Sequence, residues 1–66
     1  MITYRPFYET LKRKYISTYT LINAFGVSGS LLDRFKHDKP ITTVTLNDLC
    51  TILNCTVEDI SEYVKD

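Results

Sequence analysis

Between Ser28 and Lys39 the chain gathers residues suited to binding an anion or a hydrogen-bonding edge. Ser28, Gly29 and Ser30 are small and polar, so a backbone carrying them can approach a ligand closely and offer hydroxyls and N–H groups. Arg34 supplies a planar fork that matches phosphate or a guanine edge, or an ion pair with Asp33 or Asp38. Lys36 and Lys39 add point charges, and His37 reads as a loop surface residue. Asp33 can accept from a cytosine amino group, orient Arg34, or stand in solvent. Catalytic chemistry is absent from the pattern: no nucleophile–base pair has recognisable spacing, no Gly-rich loop would cradle a phosphate, and 66 residues are too few to enclose a substrate pocket. Cys50, Cys55 and His37 are dispersed, and a zinc site needs about four ligands. No metal, cofactor or small-molecule substrate is therefore expected, and the cysteines read as reduced thiols serving as small core hydrophobes.

These residues must be held by a scaffold that fits one domain, 1–66. Apolar residues make up 44% of the chain, enough for a compact core and too many for a disordered tail. No apolar run approaches the roughly 20 residues that span a bilayer, and the first residues lack the apolar stretch of a signal peptide. A soluble, cytoplasmic protein is expected. The net charge is zero, but it is unevenly spread. Residues 1–39 carry seven basic residues (Arg5, Lys12, Arg13, Lys14, Arg34, Lys36, Lys39) against three acids, a net of +4. Residues 40–66 carry Lys65 against Asp48, Glu58, Asp59, Glu62 and Asp66, a net of −4. The asymmetry predicts a basic working surface and an acidic back.

Five helical patterns follow one another, so the fold is expected to be all-α. Pro6 suits the first turn of a helix whose apolar face is Phe7, Leu11 and Tyr15, with Tyr8 beside it and Lys12, Arg13 and Lys14 mostly off the stripe. Ser17 or Thr18 caps a second helix with Leu21, Ile22 and Phe25 inward. Gly26 ends it in the left-handed conformation, Val27 enters the core, and Ser28 caps a third helix that buries Leu31, Leu32 and Phe35. Thr45 opens a fourth helix with Leu46, Leu49, Cys50 and Leu53 inward, and Thr56 a fifth with Val57, Ile60 and Val64. "ITTVT" at 41–45 is β-branched but has no strand to pair with. Most of the five tyrosines are expected to pack their rings with the hydroxyl at the surface.

The break at Gly26–Ser28 predicts a tight helix-turn-helix over about 17–36, which frees the third helix to project into a DNA major groove. "STYTLINAFGVSGSLLDRF" then resembles the Cro/cI-type (lambda-repressor-like, XRE family) helix-turn-helix of phage repressors and small bacterial regulators. Leu21, Gly26, Val27, Ser28, Leu32 and Phe35 fall on the family's structural positions, and the opening Ile2-x-Tyr4-x-Pro6 resembles its compact single-domain members. The resemblance implies a five-helix DNA-binding domain, a transcriptional regulator of repressor type. It assigns Ser28, Gly29, Ser30, Asp33 and Arg34 to the outward positions of the recognition helix. Thr18 stands where the family often has a phosphate-gripping Gln, and Ile22 replaces a small Ala. Lys36, His37 and Asp38 replace an acidic residue and Gly, so that Lys36 and Lys39 can add phosphate contacts. Tyr19, near the start of the second helix, is within reach of phosphate. A homodimer on a two-fold operator is expected, with the acidic C-terminal half, especially the fifth helix, as the candidate interface; an exposed cluster of tyrosines could equally form it. The competing reading, favoured by Asp33 and the zero net charge, is a helix-turn-helix module that binds another protein, antitoxin-like or anti-repressor, and reads no DNA.

Overall fold

The computed structural model describes residues 1–65; Asp66, counted above among the acids, lies outside them. The order of elements is β1 (Ile2–Thr3), α1 (Arg5–Arg13), α2 (Thr18–Phe25), α3 (Gly29–Lys36), α4 (Thr43–Leu53), a 3-10 turn (Val57–Asp59) and β2 (Glu62–Tyr63). The fold is mostly helical, with four α-helices among the described residues. The expected fifth helix is replaced by the 3-10 turn and a strand. β1 and β2 pair antiparallel, Ile2 opposite Tyr63 and Thr3 opposite Glu62, so the two ends of the chain form one ribbon. The ribbon continues one pair further, where Val64 N–H donates to the Met1 carbonyl at 2.7 Å and the Met1 ammonium to the Val64 carbonyl at 2.6 Å.

Cap chemistry fixes the helix starts. Pro6 sits in the first turn of α1, where its missing N–H costs nothing. Ser17 Oγ accepts from Thr20 N–H, Ser28 Oγ from Leu31 N–H, and Thr42 Oγ1 from Thr45 N–H, each at 3.1 Å. Thr42, not Thr45, therefore opens α4, and "ITTVT" is a cap and first turn. Thr56 does begin a turn: the Asp59 carboxylate accepts from its N–H at 3.0 Å and its hydroxyl at 3.2 Å.

Left-handed residues follow all four helices: Tyr15 (φ 57), Gly26 (φ 71), Asp38 (φ 53) and Asn54 (φ 50). Tyr15 was expected to extend the apolar stripe of α1. Because the helix closes at Arg13, its ring instead points to solvent, 96% exposed. The tyrosine expectation holds in part: Tyr4 is buried with its hydroxyl bonded to the Lys39 carbonyl, Tyr8 packs its ring edge-on against Phe7 while partly exposed, and Tyr19 and Tyr63 are largely exposed. Ile22 and Phe25 are 43% and 45% exposed, so α2 contributes Leu21 alone to the fully buried set.

The core comprises Tyr4, Phe7, Leu11, Leu21, Val27, Phe35, Leu49, Leu53 and Ile60. Phe35 is its hub on α3: Tyr4 stacks on it with ring centroids 4.4 Å apart, and Phe7 meets it edge-on at 4.6 Å. Leu31, Leu32, Leu46, Cys50 and Cys55 are half-buried against this cluster. Among the described residues Thr10 is the one buried polar residue, and its hydroxyl donates to the Asp59 carbonyl at 2.6 Å, which ties α1 to the 3-10 turn. No helix of the described residues is long and apolar enough to cross a membrane.

Candidate nucleic-acid interface

Gly26 and Val27 determine how α3 is presented. Gly26 reverses the chain out of α2 with φ 71, and Val27 drops into the core, 7% exposed. Ser28 can then cap α3 immediately. Phe35 and, less completely, Leu31 and Leu32 anchor one side of α3, while Ser28, Gly29, Ser30, Asp33, Arg34, Lys36 and His37 lie exposed. The Ser28 and Ser30 hydroxyls are 3.2 Å apart. A Cβ built on Gly29 meets nothing within 4 Å, so packing does not require glycine there.

Arg34 pairs with neither Asp33 nor Asp38. Its Nη1 donates to the Pro40 carbonyl at 3.2 Å, which holds the guanidinium along the loop after α3. Asp33 faces His37, with Nδ1 3.5 Å from the carboxylate and 2.9 Å from the Asp33 carbonyl oxygen. His37 thereby closes the C-terminal end of α3 instead of standing in a free loop. The segment after it is pinned twice by Tyr4. Tyr4 N–H donates to Asp38 Oδ1 at 3.2 Å, and Tyr4 hydroxyl donates to the Lys39 carbonyl at 2.8 Å. Burial, and then the nearby Asp38 charge, raise the Tyr4 hydroxyl above its ordinary value, so it stays a donor. The Lys39 backbone is therefore fixed while its side chain remains exposed.

A shallow cleft of about 330 Å³ joins Ser28, Ser30 and Arg34 to Thr42 and Thr45 of α4. Thr42 hydroxyl donates to Thr45 Oγ1 at 3.1 Å, so two hydroxyl-capped helix starts flank one guanidinium. Thr42 and Thr45 were not among the expected site residues; the Thr-x-x-Thr spacing within "ITTVT" carried the signal. Thr18 and Tyr19 stand exposed on the first turn of α2, and among the described residues no hydrogen bond or ion pair links them to α3. The basic surface is narrower than the charge count implied. Arg5 meets Glu62 at 3.6 Å and Arg13 meets Asp59 at 3.4 Å, so two cations of the first half face the acidic second half.

This arrangement has counterparts. The model of the Cro/C1-type HTH DNA-binding domain matches residues 9–66. No curated protein sequence matches the chain. Among solved structures, the chain is similar to one described as "Crystal structure of transcriptional regulator VanUg, Form II". The TM-score is 0.86 at 25% sequence identity, over 98% of this chain and 87% of that one. With the turn at Gly26, the exposed outer side of α3 and a family model covering most of its length, the chain belongs to the Cro/C1-type helix-turn-helix DNA-binding family.

Proposed function

We propose that this protein binds double-stranded DNA sequence-specifically and represses transcription as a cytoplasmic homodimer, with α3 as the reading helix. The observation that carries the reading is the outer side of α3: a small, hydroxyl-bearing start at Ser28–Gly29–Ser30 followed by Arg34 and Lys36, all exposed on a helix anchored through Phe35. Ser28, Gly29 and Ser30 approach the duplex. Arg34 exchanges its bond to the Pro40 carbonyl for a guanine edge or a phosphate, which are stronger acceptors for a charged fork. Asp33, held by His37, lies beside it to accept from a base amino group, and His37 follows at the groove edge. Lys36 and Lys39 neutralise backbone phosphates after α3, and Thr18 and Tyr19 do so by hydrogen bonding at the start of α2.

One helix of eight residues covers few base pairs, so a two-fold pair of copies on a palindromic site supplies the specificity. The acidic C-terminal segment was the expected dimer surface as a helix; as a 3-10 turn and strand it offers no helical face for that role. The test is selection of bound sequences from a random duplex library. The expected product is a palindrome with half-sites about one helical turn apart. A library that yields no enriched sequence would turn the α3 surface over to a protein partner.

A further inference from the structure

Cys50 and Cys55 lie outside the α3 surface, and the end of α4 sets them against each other. Asn54 takes the left-handed conformation (φ 50, ψ 57). Around it, Cys55 N–H donates to the Cys50 carbonyl at 3.0 Å and Asn54 N–H to the Thr51 carbonyl at 3.3 Å. This six-to-one and five-to-two pair is the helix closure in which the side chains at its two outer positions meet, usually as an apolar contact. Here both outer positions are cysteines. The covalent lengths at either end of the 3.0 Å bond keep the two Cα atoms within about 7 Å, the outer limit for a disulfide. Both thiols are free and half-buried, and both open on one surface groove of about 430 Å³ beside Leu46 and Val57. A small molecule can therefore reach them. Burial, and then the Cys50 thiol beside it, push the Cys55 thiol up from its ordinary value, which agrees with close approach.

We propose that Cys50 and Cys55 form a reversible dithiol–disulfide pair, a site of two-electron oxidation by small-molecule disulfides, preassembled by the left-handed cap at Asn54. One cysteine thiolate attacks a sulfur of the oxidant RS–SR, forming a protein–S–SR bond and releasing RS⁻. The second thiolate attacks the protein sulfur of that mixed disulfide, forming the Cys50–Cys55 bond and releasing the second RS⁻. The two departing thiolates take up the two protons that the cysteines lose, and two electrons pass from the protein to the oxidant. The closed ring spans residues 50–55. It staples the end of α4 to the segment whose Asp59 contacts Thr10 and Arg13 of α1. The inference stands whether or not α3 reads DNA.

The test equilibrates the full chain with mixtures of oxidised and reduced glutathione, natively and in guanidinium, followed by acid quenching, alkylation and mass spectrometry. The expected product is a monomer lighter by two hydrogen atoms with a linked Cys50–Cys55 peptide. Its formation constant should be about tenfold or more higher in the folded chain than in the denatured chain, because folding raises the effective concentration of one thiol at the other. Asn54→Val, which disfavours the left-handed cap, should remove that advantage, and Cys55→Ser should stop at glutathione on Cys50. Two unmodified thiols, glutathione on each cysteine, cross-linked chains, or an equal constant in guanidinium would each overturn the proposal.

Discussion

Single residues carry more of this structure than their local pattern suggests, and Asp59 is the clearest case. Its carboxylate accepts two bonds from Thr56 and faces Arg13, and its carbonyl accepts from buried Thr10. The bond from Thr56 N–H is the main reason its carboxyl lies below the ordinary 3.8, with Thr56 hydroxyl and Arg13 adding to it. A folded-state value below the unfolded one means a stabilising contribution present above the ordinary value and lost as pH falls through the folded value. The melting temperature of the parent should therefore fall more steeply than that of Asp59→Asn between about pH 5 and pH 2, as thermal melts by circular dichroism would measure. Equal slopes would remove Asp59 from the acid response. Gly26 is a second case. Its φ of 71 is costly for a side chain although the space beside it is open, so Gly26→Ala should cost about 1–2 kcal/mol through backbone strain alone. Denaturant unfolding measures this, and no loss would mean the turn relaxes. Gly26, Val27 and Ser28 were legible in the sequence because each acts through its own backbone or side chain. Arg34 was legible as a cation, but its partner was not, since the Pro40 carbonyl becomes available only once the loop is folded.

At the scale of elements, helix starts were read better than helix ends. Pro6, Ser17 and Ser28 mark their starts by chemistry that depends on neighbours within one turn. α4 offered two threonines three residues apart, and Thr42 prevails because its hydroxyl reaches Thr45 N–H. Ends were harder because only Gly26 of the four left-handed residues is a glycine. Asp38 and Asn54 tolerate that conformation, but Tyr15 does not favour it. Its exposed ring gains nothing from packing, so Tyr15→Gly should stabilise the domain by about 1 kcal/mol. A lower midpoint in denaturant would show that the ring contributes through contacts after all. The missing fifth helix has a different cause. Thr56 and Asp59 do start a turn, but the chain then pairs with a strand about sixty residues away in sequence. Local periodicity contains no trace of such a partner. Phe35 is the residue on which the position of α3 depends, and Phe35→Ala should cost about 3–5 kcal/mol. A melting curve checks it, and DNA binding should disappear with the fold.

As a whole, the molecule is a body of 36 × 23 × 18 Å whose charges are less segregated than the sequence count indicated. Arg5 and Arg13 are turned toward Glu62 and Asp59, which leaves Arg34, Lys36 and Lys39 as the cations grouped on and after α3. The charge count was legible, but which charges meet depended on the ribbon that brings the two chain ends together. Phosphate neutralisation by a handful of cations should give a log–log dependence of affinity on salt with a slope of roughly −3 to −6. The most direct test of the central claim, that the outer side of α3 reads DNA, is a titration of the selected duplex and an unrelated duplex with the parent, Arg34→Ala and Gly29→Leu. Melting curves are recorded for each. Both variants should stay folded, since Arg34 is exposed and a Cβ at Gly29 meets no neighbour. Arg34→Ala should lose about 1–3 kcal/mol on the selected duplex and less on the unrelated one, and Gly29→Leu should weaken both by blocking close approach. Variants that stay folded and bind the selected duplex as tightly as the parent would contradict the account.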